Sequence, residues 1–287
     1  MQIQGRHLTE QDIAWIRELI HCHPDWNRTR LSRELCATWN WTNGNGQLKD
    51  MACRTMLLKL ERLKYIRLPA PRAVGVGNAT RIVRSVAHDT TPVSGPLRDL
   101  LPLRIEIVKT SASSVLFRHL LAAYHYLGFC GAVGENMKYL VYDRYGRPLA
   151  CLLFGSAAWK VAPRDAWIRW TPGVRRNSLS LVTNNMRFLI LPWVTVPNLA
   201  SHLLSRIASR ICRDWMDKYG HPVHLLETFV EQQRFRGTCY RAANWIQVGQ
   251  TQGRSRNDTH HTLSVTRKDV YVYALVPNAR EVLSNGI

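Results

Sequence analysis

The run Arg187-Phe-Leu-Ile-Leu-Pro-Trp-Val194 constrains the fold of this chain more than any other stretch. It is nearly continuous in apolar residues, the pattern of a central strand buried on both faces, so a sheet has to be built around it. The run stops at Pro197, and Asn198 is placed to cap a helix predicted over 199–219. Leu203, Leu204, Ile207, Ile211 and Trp215 fall on one face of that helix, Gly220 closes it, and Val223 to Val230 returns as another inner strand.

Other segments supply the rest of a mixed α/β domain spanning 103–287. Residues 103–108 alternate as a strand, and 114–127 have a helical period. Met137 to Tyr142 and Pro148 to Phe154 flank Asp143-Arg-Tyr-Gly-Arg147, which makes a hairpin. Asp165 to Trp170 is expected to be extended or an ordered loop, and Asp269 to Val276 gives a final alternating strand. Between the last strands, Glu227 to Arg256 reads as a strand end, a glycine-marked turn, a short helix carrying Tyr240, and a strand leaving through Trp245, Ile246 and Val248. A hydroxyl on a helix between apolar strands, ringed by Arg234, Arg236, Arg241, Arg254 and Arg256, is a candidate site.

The first 72 residues are organised differently. Helices are predicted from Thr9 to Cys22, with Thr9 as cap, from Arg28 to Trp39, capped by Asn27, and from Lys49 to Leu63. In the third, Met51, Met56, Leu57 and Leu60 are expected inward and Lys49, Arg54, Lys59 and Arg62 outward. Three compact helices ending in Tyr65-Ile-Arg-Leu-Pro69 describe a helix-turn-helix, winged-helix-like module. Its third helix would enter the major groove, with Arg67 beside it. Residues 73–102, broken by prolines and glycines and carrying Arg81 and Arg84, are expected to be a basic linker.

Charge points to the partner. The formal net charge is +19, and on a folded chain this favours a polyanion; DNA leads because Lys and Arg displace counterions from phosphates. No stretch reaches the ~18 consecutive apolar residues of a membrane helix, so no membrane partner is expected. The N-terminus lacks an apolar signal-like core, and seven scattered cysteines without a Cys-x-x-Cys pair suit reduced thiols. A cytoplasmic location without a structural zinc is the expectation.

Two resemblances follow from these residues. The order strand, helix, hairpin, central strand, helix, strand, short helix, strand, strand, with Tyr240-Arg-Ala-Ala-Asn-Trp245, resembles the GNAT acyltransferases and their Tyr-x-x-x-Gly-Phe pattern. The resemblance implies an acetyl-CoA-like cofactor held by Val194, Asn198, Leu199, Ala200 and Ser201, with Tyr240 as general acid and Glu227 as base. The chain departs from that pattern in having no glycine in Thr195-Val-Pro-Asn-Leu-Ala-Ser201, so it is similar to the atypical version found in phage Mom-like DNA-modifying proteins. The runs Tyr124-His-Tyr-Leu-Gly128, Ala157-Ala-Trp-Lys160, Asn184 to Val194, Asn198-Leu-Ala-Ser201 and Gly237 to Trp245 resemble the DruA family of the Druantia anti-phage system and related mobile-element proteins. That resemblance implies a role in defence or DNA mobility, with other proteins of those systems as partners.

Three chemistries stay open. In the first, Arg234, Arg236, Arg254 and Arg256 hold nucleic acid near Tyr240 while Trp159, Trp167 and Trp170 stack an extruded base. A metal-dependent nuclease or strand-transfer enzyme would instead gather Asp143, Asp165 and Glu227. In the third, an acyltransferase-like scaffold without cofactor serves as a DNA-binding adaptor.

Overall fold

The computed structural model describes residues 2–4, 6–43, 46–70, 85–129, 131–253 and 266–285. They divide into two compact units, Met1–Gly77 and Asn78–Ile287.

The N-terminal unit starts with a small hairpin, β1 (Gln2–Ile3) and β2 (Arg6–His7), followed by α1 (Glu10–Cys22), α2 (Arg28–Thr38) and α3 (Asp50–Arg62). The caps are those the sequence offers. The Thr9 hydroxyl accepts from the Asp12 amide and the Asp12 carboxylate accepts from the Thr9 amide, while the Asn27 side chain accepts from the amides of Thr29 and Arg30. Ile16, Leu35, Met56 and Leu60 are fully buried where the helices meet. Thr42 and Leu48 form an isolated antiparallel bridge before α3. Met51, expected inward, is 57% exposed; it lies in the first turn of α3, where Cys53 takes the buried position.

The second unit runs β3 (Val93–Ser94), a 3-10 turn at Leu97–Leu100, β4 (Arg104–Ile107), α4 (Ser111–Tyr124), β5 (Asn136–Tyr142), β6 (Pro148–Ser156), α5 (Ala162–Ile168) and α6 (Pro172–Ser178). It continues with β7 (Val182–Ile190), β8 (Val194–Thr195), α7 (Leu199–Ala208), α8 (Ile211–Tyr219), β9 (Leu225–Glu231), α9 (Thr238–Ala242), β10 (Ile246–Gln250), β11 (Lys268–Ala274) and α10 (Ala279–Asn285). Seven strands make one mixed sheet in the order β10-β11-β9-β7-β6-β5-β4, parallel only between β7 and β9. The protein is therefore α+β. One large core joins α4, α7 and α8 to the sheet, and a smaller one gathers Ile168, Trp170, Leu225, Val272 and Leu283 beneath α5, α6 and α10.

Several expectations shift. The strand buried along nearly its whole length is β6, in which every residue but Ser156 is buried. The apolar run at 187–194 is the second half of β7 plus a turn, and there only Leu189 and Leu191 are buried before Val194. Asp165 to Ile168 is helical, because Pro163 starts a helix well and Arg164 is drawn inward by an ion pair. The helix predicted over 199–219 breaks at Ser209-Arg210, where the Arg210 guanidinium reaches the Ile105 carbonyl and the Asp214 carboxylate. Asn198 makes no side-chain cap bond; it sits at φ +62°, a conformation asparagine tolerates better than most residues. Of the expected linker, residues 73–84 lie outside the described residues, while Val93 pairs with Val194 and Leu100 is buried in the large core.

Candidate functional site

The site is a fork in the sheet. β7 and β9 pair only from Val182↔Leu225 to Asn184↔Glu227, although β7 continues to Ile190 and β9 to Glu231. The cause is local. Against β6, Arg187 pairs with Leu153 and Asn185 with Phe154, so Met186 is one extra residue on β7, and such a bulge bends its strand. Gly155 makes room for it, since any Cβ there would run into the Met186 sulfur. Past the bulge β7 follows β6, while β9 stays paired with β11 over its full length. A cleft of about 710 Å³ opens between them, lined by Asn184 to Ile190, Thr228 to Glu231, Tyr124 to Leu127, Ala200 and the Phe235–Tyr240 turn.

Tyr240 stands at the cleft wall. Gly237, at φ +66°, turns the chain into α9, and the Tyr240 ring stacks on Tyr271 with centroids 5.8 Å apart while Trp245 meets it edge-on at 5.1 Å. Its hydroxyl accepts from Asn185 Nδ2 at 3.2 Å and lies 3.5 Å from Thr228 Oγ1. Burial pushes the phenol well above its ordinary range, opposed by the Thr228 contact, which favours the protonated form. Asn185 Oδ1 is buried with no partner among the described residues.

Glu227 faces away from this cleft. Side chains alternate along a strand, and in β9 Leu226 points into the large core beside Thr228 while Leu225 and Glu227 point into the small one. There Glu227 accepts from Arg164 Nη1 at 2.7 Å and from the Ala158 amide at 2.8 Å. Burial raises its carboxyl, and Arg164 offsets only part of the rise. The structure therefore does not bring Glu227 and Tyr240 together, and the carboxylate that lines the cleft is Glu231.

The metal-site trio is not assembled either. Arg164 also holds Asp165, at 2.7 Å, so the two carboxylates share a cation. Asp143 is occupied in its hairpin turn by the amides of Tyr145 and Arg147 and by the Arg147 guanidinium at 2.7 Å. Among the described residues no three His, Cys, Asp or Glu side chains are grouped to hold a metal ion.

Of the five residues assigned to a cofactor, Ala200 alone lines the cleft. Val194 and Leu199 are buried, and the Ser201 hydroxyl donates back to the Asn198 carbonyl at 3.1 Å. With no glycine and no cation in 195–201, these residues do not fit a pyrophosphate. Arg236 lines the cleft and Arg234 lies beside it, while Arg254 and Arg256 are outside the described residues. None of the three tryptophans lines the cleft: Trp170 is buried, Trp167 lies under Arg280, and Trp159, 51% exposed, meets Arg175. In the N-terminal unit Arg54 pairs with Asp50 at 2.6 Å, Lys49 precedes α3, and Lys59, Arg62 and Arg67 are exposed.

Sequence reasoning missed Asn185, Thr228, Tyr126 and Phe235. A signal existed for the first: two adjacent asparagines in a strand are unfavourable unless something holds them.

A family model described as Druantia protein DruA matches residues 59–282, most of the chain. The chain belongs to the DruA family. None of the curated proteins compared matches this DruA-family chain. Solved structures similar to it include the Vibrio cholerae spermidine/spermine N-acetyltransferase SpeG with manganese ions, at 8% identity and a TM-score of 0.39, over 60% of this chain and 92% of that one. The V. cholerae spermidine N-acetyltransferase in complex with CoA and spermine gives 9% identity and a TM-score of 0.38, over 60% and 95%. Likenesses this loose say nothing of the site, and those ligands belong to those enzymes. Among the described residues no helix is long and apolar enough to cross a membrane.

Proposed function

We propose that this DruA-family protein is a DNA-binding component of a phage-defence or mobile-element system, whose forked-sheet cleft acts on or recognises nucleic acid. The observation that carries the reading is the buried Tyr240 hydroxyl, set with Asn185 and Thr228 in a cleft flanked by Arg236 and Lys268, on a chain of net charge +19. A neutral phenol in a partly apolar cleft offers a proton or hydrogen bond to developing negative charge, and the cations suit phosphates. The fork lies between β7 and β9, with Ala200 of α7 in the cleft lining, the end of the sheet where the acyltransferase resemblance puts its ligand. No step is assigned to acetyl-CoA, because the 195–201 turn does not fit it. In the N-terminal unit, α3 with exposed Lys59 and Arg62 is read as the groove-facing helix of a helix-turn-helix.

Full-length protein should bind duplex DNA with an affinity that falls about a hundredfold or more between about 50 and about 200 mM salt, as several neutralised phosphates require. A mobility-shift titration at both salts checks this, and absence of binding at the lower salt overturns it. For the site, Tyr240→Phe should abolish phage protection or element mobility in cells while leaving the protein folded, because loss of the hydroxyl costs only about 1–2 kcal/mol in hydrogen bonding. Unchanged protection would remove Tyr240 from the mechanism.

A further inference from the structure

We infer that the mouth of the cleft is a stacking platform for one unpaired nucleobase, formed by Tyr126 and Phe235, with Asn185 placed to read the base edge. This rests on the nucleic-acid reading above and names what enters the cleft.

Tyr126 and Phe235 both line the cleft and both face outward, 39% and 48% exposed. Their rings touch at 60° with centroids 5.3 Å apart. Large aromatic surface left in water is unfavourable unless something covers it, and here cations surround it. The Arg234 guanidinium lies 5.0 Å from the Tyr126 ring centre, and Arg236 and Lys268 share the cleft lining. Among the described residues a single carboxylate lines the cleft, Glu231, and it is 3.6 Å from Arg234, which offsets its charge. Beneath the platform His125 stacks on Tyr126 at 4.8 Å, and burial with Arg187 nearby lowers its pKa to about 4, so it is a neutral support at neutral pH. Exposed aromatics interleaved with cations are what a single strand needs: π-faces for bases, positive charge for the backbone.

The depth of the cleft supplies the second half. Asn185 is 5% exposed, and its amide gives one bond, to Tyr240. Its Oδ1 is buried with no hydrogen-bond partner among the described residues. A buried, unmatched amide atom on a cleft wall is unfavourable until a ligand satisfies it, and a base edge carries donors and acceptors of the right kind. A base paired in a duplex cannot reach it, so the fitting ligand is an unpaired or extruded base.

The test uses full-length protein and three fluorescent DNA probes: a single strand, the same strand with one abasic site, and a duplex of matching sequence. Tyr126→Ala and Phe235→Ala should each weaken single-strand binding about tenfold or more, the loss expected of one base stack, while changing duplex binding less than about twofold. Tyr126→Phe and Phe235→Tyr should restore it. In the single strand, 2-aminopurine emission should be quenched on wild type and not on the alanine variants. If wild type binds DNA but the alanine variants bind the single strand as tightly as it does, the platform is overturned and the DNA reading stands. If wild type binds neither strand form, both fall.

Discussion

Arg164→Ala should destabilise the second unit by about 3–5 kcal/mol, the usual penalty for removing one partner of a buried ion pair. Arg164 has no exposed surface and donates to the Ala158 carbonyl, to Glu227 and twice to Asp165, with its guanidinium 5.2 Å from the Trp170 ring centre. Truncation leaves Glu227 buried among Leu225, Val272 and Leu283 with, among the described residues, only the Ala158 amide to meet it. Urea unfolding followed by tryptophan fluorescence measures the loss. Replacing both partners, as Arg164→Met with Glu227→Leu, should recover most of it, because an apolar pair suits that site. A loss in the single variant below about 1 kcal/mol would mean that Glu227 is not held by Arg164.

The same variant carries a pH signature. Burial already raises the Glu227 carboxyl, and Arg164 is the main opposing influence. Without Arg164 the folded form holds the Glu227 proton more tightly than the unfolded chain does. Stability gained from that proton is present at acid pH and is lost as pH rises from the ordinary glutamate range through the raised value. The Arg164→Ala deficit should therefore be larger at neutral pH than at mildly acidic pH, and a pH-independent deficit would contradict the assignment.

Gly237→Ala is expected to destabilise by about 2–4 kcal/mol, combining left-handed backbone strain with overpacking. Gly237 is at φ +66°, and a Cβ there would strike the Tyr271 hydroxyl and lie 2.8 Å from the ring carbon that bears it. Tyr271 cannot step aside easily: it is fully buried, stacks on Tyr240, accepts from Arg241 and donates to Gln247. The alternative is for α9 to move, which takes the Tyr240 hydroxyl off Asn185, so activity in cells should fall with stability. Gly146→Ala is the internal comparison. Its φ is +82°, but nothing lies within 4 Å of the new methyl, so only the strain of about 1 kcal/mol remains. Equal losses in the two variants would show that the Tyr271 contact is unimportant.

Much of this architecture is legible in the residues themselves. Thr9 and Asn27 announce helix starts because a side-chain oxygen in front of an amphipathic run has an amide to accept from, and both do so. The alternation in β9 also contains the separation of Glu227 from Thr228, since neighbours in a strand cannot share a face. What alternation cannot say is which face the Tyr240 helix will cover, and that choice decides which of the two belongs to the site. Position 186 is similar: nothing in Asn184-Asn-Met-Arg marks one residue as surplus, because a bulge depends on the register of the partner strand. Arg164 reads as a surface residue until Glu227 is known to be opposite it, which hid both the helix at 162–168 and the ion pair. Tyr126 and Phe235 are over a hundred residues apart, and only the fold makes them neighbours.

The fork also bears on how fast a ligand can arrive. Past the fork each diverging strand stays paired with its outer neighbour, β7 with β6 beyond the Met186 bulge and β9 with β11 along its length. An opening held by strand pairing on both sides should need no gating motion before contact. Association should be limited by diffusion and electrostatic attraction to the basic surface, and little binding energy is spent on reshaping the receptor.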